Sequence, residues 1–180
     1  MKSYLILTAV GPDRPGLVDQ VSAYLSERNF NIESSRMAAL GGEFAIILLA
    51  SGEEAEVEAL LKDHSALAAS SGLQVQARAA SAPEPRAMPA SLPYRLRVTS
   101  MDHPGIVSQV SRALHQRQIN IESLDARVSP APVSGAPVFN LEASLSVPAT
   151  LKLRELRREL EDLADELNLD LELESEERTP

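Results

Sequence analysis

The sequence predicts an α+β protein of two βαββαβ units, each an open four-stranded antiparallel sheet with two helices on one face. Three observations carry this. The chain repeats itself at an offset of 89 residues: DRPGLVDQVSAYLSERNFNIES from Asp13 to Ser34 returns as DHPGIVSQVSRALHQRQINIES from Asp102 to Ser123, with 13 of 22 positions identical. Within each copy, β-rich runs flank a segment of helical periodicity that opens at a Gly/Pro break. Between the copies, Ala79 to Pro93 (AASAPEPRAMPASLP) is rich in Pro, Ala and Ser, a composition of extended linkers. The expected division is a first domain over 1–80, a linker over 81–92, a second domain over 93–175 and an acidic tail over 176–180.

In the first copy, Ser3 to Val10 reads as a strand, ended by the Gly/Pro cluster Gly11 to Gly16. Leu17, Val18, Val21, Tyr24 and Leu25 then recur at helical spacing and predict a helix that stops near Arg28 and Asn29. Phe30 to Leu40 and Glu43 to Ser51 read as strands joined by Gly41-Gly42, a pair suited to the positive φ angles of a two-residue hairpin. Glu53 to Ser70 reads as one helix, with acid in its first turn where the macrodipole favours it, and Gly72 as its stop before the strand Leu73 to Ala79.

The second copy repeats the order: strand Tyr94 to Ser100, helix Gly105 to Arg117, strands Ile119 to Ser129 and Pro137 to Val147, helix Leu151 to Leu167, strand Leu169 to Glu174. Its hairpin carries Pro130 to Ala136, a longer loop whose prolines resist regular pairing. Leu153, Leu156, Leu160, Leu163 and Leu167 form a heptad seam, either for a partner helix or, over so short a span, for the domain's own sheet. Right-handed crossovers fold two such βαβ units into the ferredoxin-like layout. The run Ala45 to Ala50 is apolar without alternation, which predicts burial on both faces and therefore a second sheet or subunit, hence a homodimer.

Charge and composition narrow the function. A net charge of −9 disfavours direct binding to nucleic acid or anionic lipid, which needs clustered Lys and Arg. With no Cys and three scattered His, thiolate and metal chemistry lack their ligands, so no cofactor or metal is expected. No apolar stretch approaches a membrane span and no signal core opens the chain, so a cytoplasmic location is expected. His64, His103 and His115 read as surface or helix-end residues, and nothing pairs a nucleophile with a base. The chain reads as a non-enzyme. The acidic run Glu172 to Glu177 reads as a solvated end.

Two repeated motifs are candidate binding elements. The loop Gly11-Pro12-Asp13-Arg14-Pro15-Gly16, echoed by Ser100-Met101-Asp102-His103-Pro104-Gly105, leads into a helix whose free N–H groups and positive dipole end can hold a carboxylate. Asp13 or Asp102 would then accept from an ammonium group, making the loop complementary to an amino acid. The alternative is that these Asp residues cap the helix and Pro-Gly merely turns the chain. The second motif is Asn31-Ile32-Glu33-Ser34, repeated as Asn120 to Ser123. Asn is a poor strand former with both donor and acceptor groups, so its recurrence marks either a ligand contact or an Asx turn. The candidate ligand-binding residues are Gly11, Asp13, Arg14, Gly16, Leu17, Asn31 and Ile32 in the first copy, and Asp102, His103, Gly105, Ile106, Asn120 and Ile121 in the second.

With the DxPG loop, the following helix and the NIES strand in view, the sequence resembles tandem ACT domains. That resemblance implies βαββαβ modules that bind small ligands, often amino acids, where sheets meet, between the first loop and the Asn opening the second strand. Those positions are Asp13 and Asn31, with Asp102 and Asn120 in the second copy. More closely, GPDRPGLV, NIESSRMAALGGEFAIILL and PAPVSGAPVFNLE resemble the glycine cleavage system transcriptional repressor family. This implies a cytoplasmic regulator that contacts a DNA-binding transcriptional activator, with glycine opposing the contact and Pro130 to Ala136 as the place to look for that partner. The first copy also resembles the ACT segment of formyltetrahydrofolate deformylase, though no residues here read as its catalytic domain. A constitutive oligomerisation module without ligand is the other alternative.

Overall fold

The computed structural model describes residues 2–82, 90–132 and 134–176. They form two compact units, residues 1–86 and 87–180. The first contains β1 (Lys2–Pro12), α1 (Leu17–Ser26), β2 (Asn31–Leu40), β3 (Glu43–Glu53), α2 (Glu54–Lys62), α3 (Ser65–Ser71) and β4 (Gln74–Ala80). The second contains β5 (Ser91–Met101), α4 (Ile106–Gln116), β6 (Asn120–Pro130), β7 (Pro137–Pro148), α5 (Leu153–Leu167) and β8 (Asp170–Ser175). Each sheet is antiparallel between neighbours, in the orders β2-β3-β1-β4 and β6-β7-β5-β8.

Alternation along the central strands makes each core. Leu5, Leu7 and Ala9 of β1 and Phe44, Leu48 and Ala50 of β3 point to the helix layer, where Leu17, Val21 and Leu25 of α1 meet them. The second unit repeats this with Leu96, Val98, Leu141, Ala143 and Leu145 under Ile106, Val110, Leu114, Leu156 and Leu160. Burying each of the Leu, Ile, Val and Phe side chains is worth about 1.5–3 kcal/mol, and the heptad-like seam of α5 packs into the core of its own unit. Gly41 and Gly42 sit at φ 61° and 85°, the two positive angles a type I′ hairpin requires.

Several expectations are corrected. The segment 53–70 is two helices, because Asp63 is extended and its Oδ1 accepts from the Ser65 N–H at 2.9 Å, which ends one helix and opens another. His64 lies at that break, with a buried Nδ1 that has no partner among the described residues, so it is no solvated helix residue. The expected burial of Ala45 to Ala50 on both faces is met within the unit on the helix side alone, and Ile47, on the other face, is 46% exposed. Pairing of β6 with β7 runs up to the Pro130–Pro137 partners, and Ala131 N–H to Ala136 carbonyl closes the connection at 2.8 Å. Position 133 is outside the described residues. Ser91 and Leu92 already belong to β5, so the strand starts inside the expected linker, of which 83–89 lie outside the described residues.

The acidic end is also structured as far as residue 176. Glu172 and Glu174 are β8 residues facing Arg97, with Arg97 Nη1 to Glu174 Oε2 at 3.1 Å. Glu176 pairs with Arg95, and its N–H donates to the Pro93 carbonyl at 2.9 Å. Residues 177–180 lie outside the described residues. The open faces of the two sheets differ as a result: Ile6, Val10, Ile47 and Leu49 on the first are matched in register by Arg95, Thr99, Glu142 and Ser144 on the second.

Candidate ligand site

The two loops are built alike. Gly16 and Gly105 take φ 92° and 101°, left-handed angles that a residue with a Cβ adopts only under strain, and each serves as N-cap of the helix that follows. No side chain caps either helix, so Asp13 and Asp102 are not the capping residues that one reading of the sequence allowed. The Asp13 N–H donates to the Gly42 carbonyl at 2.8 Å and the Asp102 N–H to the Pro137 carbonyl at 3.1 Å, which ties each loop to its hairpin and leaves the exposed carboxylates without a partner among the described residues. Uncapped first-turn N–H groups and a positive dipole end are what an anion needs.

The loops differ in three ways. Arg14 Nη2 donates to the Ser71 carbonyl and to Gln20 Oε1, both at 2.9 Å, strapping the first loop to the end of α3, whereas His103 at the matching place reaches only the carbonyl of its own neighbour Pro104. Asp19 lies in the first turn of α1, where it repels an anion, while α4 has no acid there. Ser100 stands where the first copy has Gly11, and its buried Oγ has no partner among the described residues. A Cβ at Gly11 would approach Leu73 Cδ2 to 3.0 Å, so the first loop has no room for the same side chain without a shift.

The structure does not bring the loop and the Asn of one unit together. Asn31 is level with Ser51 and Tyr4, whereas Gly11 is level with Phe44 and Ala39, at the opposite end of the sheet. Gly11 is seven steps along the strand from Tyr4, about 23 Å at the usual rise. In the second unit Asn120 pairs with Ser146, far along the strand from the loop after Met101. Ile32 and Ile121 accompany their Asn at that far end, and Leu17 and Ile106 are buried beneath the loops.

At the Asn31 end the structure assembles a polar cluster the motif reading passed over. The ladder slips by one residue between Ile32 and Ser34, so Glu33 is the extra residue of a β-bulge. Its carboxylate accepts from Ser51 Oγ at 2.5 Å, pairs with Lys2 Nζ at 2.9 Å and is bonded by Asn31. These hydrogen bonds, Ser51 first, then Lys2 and Asn31, hold its carboxyl down at about 2. Asn31 is thus neither an Asx turn nor free. Glu122 is a bulge residue too, with Asn120 donating to it, but Ser91 replaces Lys2. The recurrence of Glu33 and Ser34 in NIES was the available signal. The distant Lys2 and Ser51 were not recognisable without strand register.

Two open-sheet ferredoxin-like units in tandem, each with a glycine-opened, uncapped helix after β1, define a class. Residues 3–78 and 94–165 each match the ACT domain, and the chain belongs to the ACT-domain family. It is similar to the glycine cleavage system transcriptional repressor of Escherichia coli K12, 29% identical over 165 residues that cover 92% of this chain and 86% of that protein. A solved structure of a protein of unknown role from Galdieria sulphuraria is 32% identical, covers 98% of this chain and 100% of its own, and superposes with a TM-score of 0.82. A second, provisionally described as a glycine cleavage system transcriptional repressor, is 25% identical with 96% of each chain covered and a TM-score of 0.69. These relations support a regulatory role. No helix among the described residues is long and apolar enough to cross a membrane.

Proposed function

We propose that this protein is a noncatalytic, cytoplasmic regulator that binds a small amino acid, glycine or one close to it, and modulates a DNA-binding transcriptional activator of amino-acid metabolism through protein contacts. The observation that carries the reading is the pair of uncapped helix N-termini behind DxPG loops, each with an exposed, unpaired Asp, in a chain whose relative is a transcriptional repressor. A carboxylate on the N–H groups and an ammonium on Asp13 or Asp102 would satisfy both ends of an α-amino acid. A metabolite at millimolar level needs about −4 kcal/mol, within reach of such a cradle.

Because loop and Asn lie at opposite ends of one sheet, a site that uses both takes the Asn from another unit, which our reading assigns to a second subunit. The apolar open face of the first unit, with Val10 at 45% and Ile47 at 46% exposure, supports a homodimer. The unstrapped second loop, with its orphan Ser100 hydroxyl and no first-turn acid, is the better of the two cradles. The hairpin end 130–136 is where the activator would be sought.

Isothermal titration against glycine, then serine, alanine and the remaining amino acids, tests this. Saturable binding of one or a few supports the sensor, and pull-down of the activator with and without that ligand follows. No heat up to several millimolar would leave a ligand-free interaction module.

A further inference from the structure

We propose that the outer face of α5 is a self-complementary surface on which a second copy of this chain docks antiparallel, about a two-fold axis between residues 159 and 160. Its inner face, with Leu156 and Leu160, is buried on the domain's own sheet. The opposite face exposes Arg154, Arg157 and Arg158, then Glu161, Asp162 and Asp165. At 3.6 residues per turn these six side chains form one stripe along the helix, basic in its first half and acidic in its second.

That order does nothing for the isolated helix. The macrodipole favours acid at the N-terminus and base at the C-terminus, and the last turn of α5 contains no base. Arg followed by acid four residues on is also the weaker orientation of an intrahelical pair. Among the described residues none of the six is in an ion pair, although the neighbouring Lys152 pairs with Glu155 and Arg117 with Glu159.

A two-fold axis explains the order. Antiparallel pairing about the midpoint sets residue 154 opposite 165, 157 opposite 162 and 158 opposite 161, so every facing pair joins an Arg to an acid. By symmetry each of these three pairs occurs twice. Parallel pairing would set Arg against Arg. The stripe is itself neutral, three bases against three acids, so the chain's net charge of −9 is not concentrated at the seam. An isologous contact of this kind taken by itself joins two copies and no more. The surface is distinct from the open sheet face, and the inference does not depend on the ligand reading.

Sedimentation equilibrium of the full chain from about 5 to about 300 µM, at low salt and at about 0.5 M salt, reads the contact. Wild type is expected to show a concentration-dependent association that high salt weakens. Arg157→Glu/Arg158→Glu and Glu161→Arg/Asp162→Arg each place like charges opposite one another and are expected to weaken association at least about tenfold. An equimolar mixture of the two variants restores opposite charges at every facing position and is expected to associate as tightly as wild type. Circular dichroism checks the fold, and Arg158→Glu with Glu161→Arg replace any double variant that fails it. No association of wild type over the range, variants that associate as wild type does, or a mixture no tighter than its components would each overturn the proposal.

Discussion

The Ser51 hydroxyl donates to Glu33 Oε1 at 2.5 Å across the β2–β3 ladder, at the one place where that ladder carries a bulge. The bulge residue is thereby converted from an edge defect into the anchor of a cluster that also holds Lys2 and Asn31. The same three residues that keep the Glu33 carboxyl ionised are drawn from the first, second and third strands.

The cluster makes stability depend on pH in a defined direction. The folded-state carboxyl titrates at about 2 against an ordinary 4.5, so its contribution is complete above the ordinary value and is lost as pH falls from about 4.5 toward 2. Thermal melts followed by circular dichroism between neutral pH and the acid limit are expected to show Glu33→Gln with a shallower acid decline than wild type. Parallel curves for the two proteins would contradict this. Ser51→Ala, which removes the leading hydrogen bond, is expected to fall between them.

Gly52 is fixed by contact. A Cβ there would come within 2.9 Å of Phe30 Cδ1 and Cε1, and that ring is itself buried. Gly52→Ala is expected to cost about 1–3 kcal/mol in a urea titration, because a packed ring has to move.

Gly16 is fixed by angle, with open space around it and φ at 92°. Gly16→Val is expected to leave the fold intact while costing about 1–3 kcal/mol, and to weaken amino-acid binding by disturbing the first loop. Calorimetry alongside a denaturant titration separates the two effects, and unchanged affinity for Gly16→Val would remove the first loop from the site.

Leu160 sits under α5 at 1% exposure. Leu160→Ala is expected to cost about 2–5 kcal/mol, while a truncation on the outer face of the same helix leaves monomer stability nearly unchanged. Comparable losses on both faces would mean that the seam does not define the packed side.

If loop and Asn come from different subunits, Asp13→Ala and Asn31→Ala chains are each expected to bind ligand at least about fivefold more weakly, with the matching changes Asp102→Ala and Asn120→Ala included to silence the second copy. Mixing the two defective chains is expected to recover part of the binding capacity, since mixed dimers rebuild some intact sites. A mixture that binds no better than its components would place the whole site within one chain.

The repeat, the element order apart from one helix break, and the apolar faces of the helices were legible in the sequence, because each is a local pattern. Period 3.6 in Leu17, Val21 and Leu25 states which side of the helix is apolar, whereas the buried side of the nearly all-apolar strand, Leu5, Leu7 and Ala9, emerged from the fold. The repeat of 13 in 22 positions states that the pattern is used twice. The helix break at Asp63 escaped that reading, since one side-chain oxygen accepting from Ser65 outweighed a run of helix formers. The charged second sheet face escaped it as well, since its Arg and Glu residues come from strands far apart in the chain. Tertiary structure alone decided which polar residues stand level with one another. Strand register places Asn31 beside Ser51 and Lys2 and leaves it a sheet length away from the DxPG loop. Periodicity fixes the face a side chain points to, but its height on the sheet is set by hydrogen bonds between strands distant in sequence, and no local pattern encodes those.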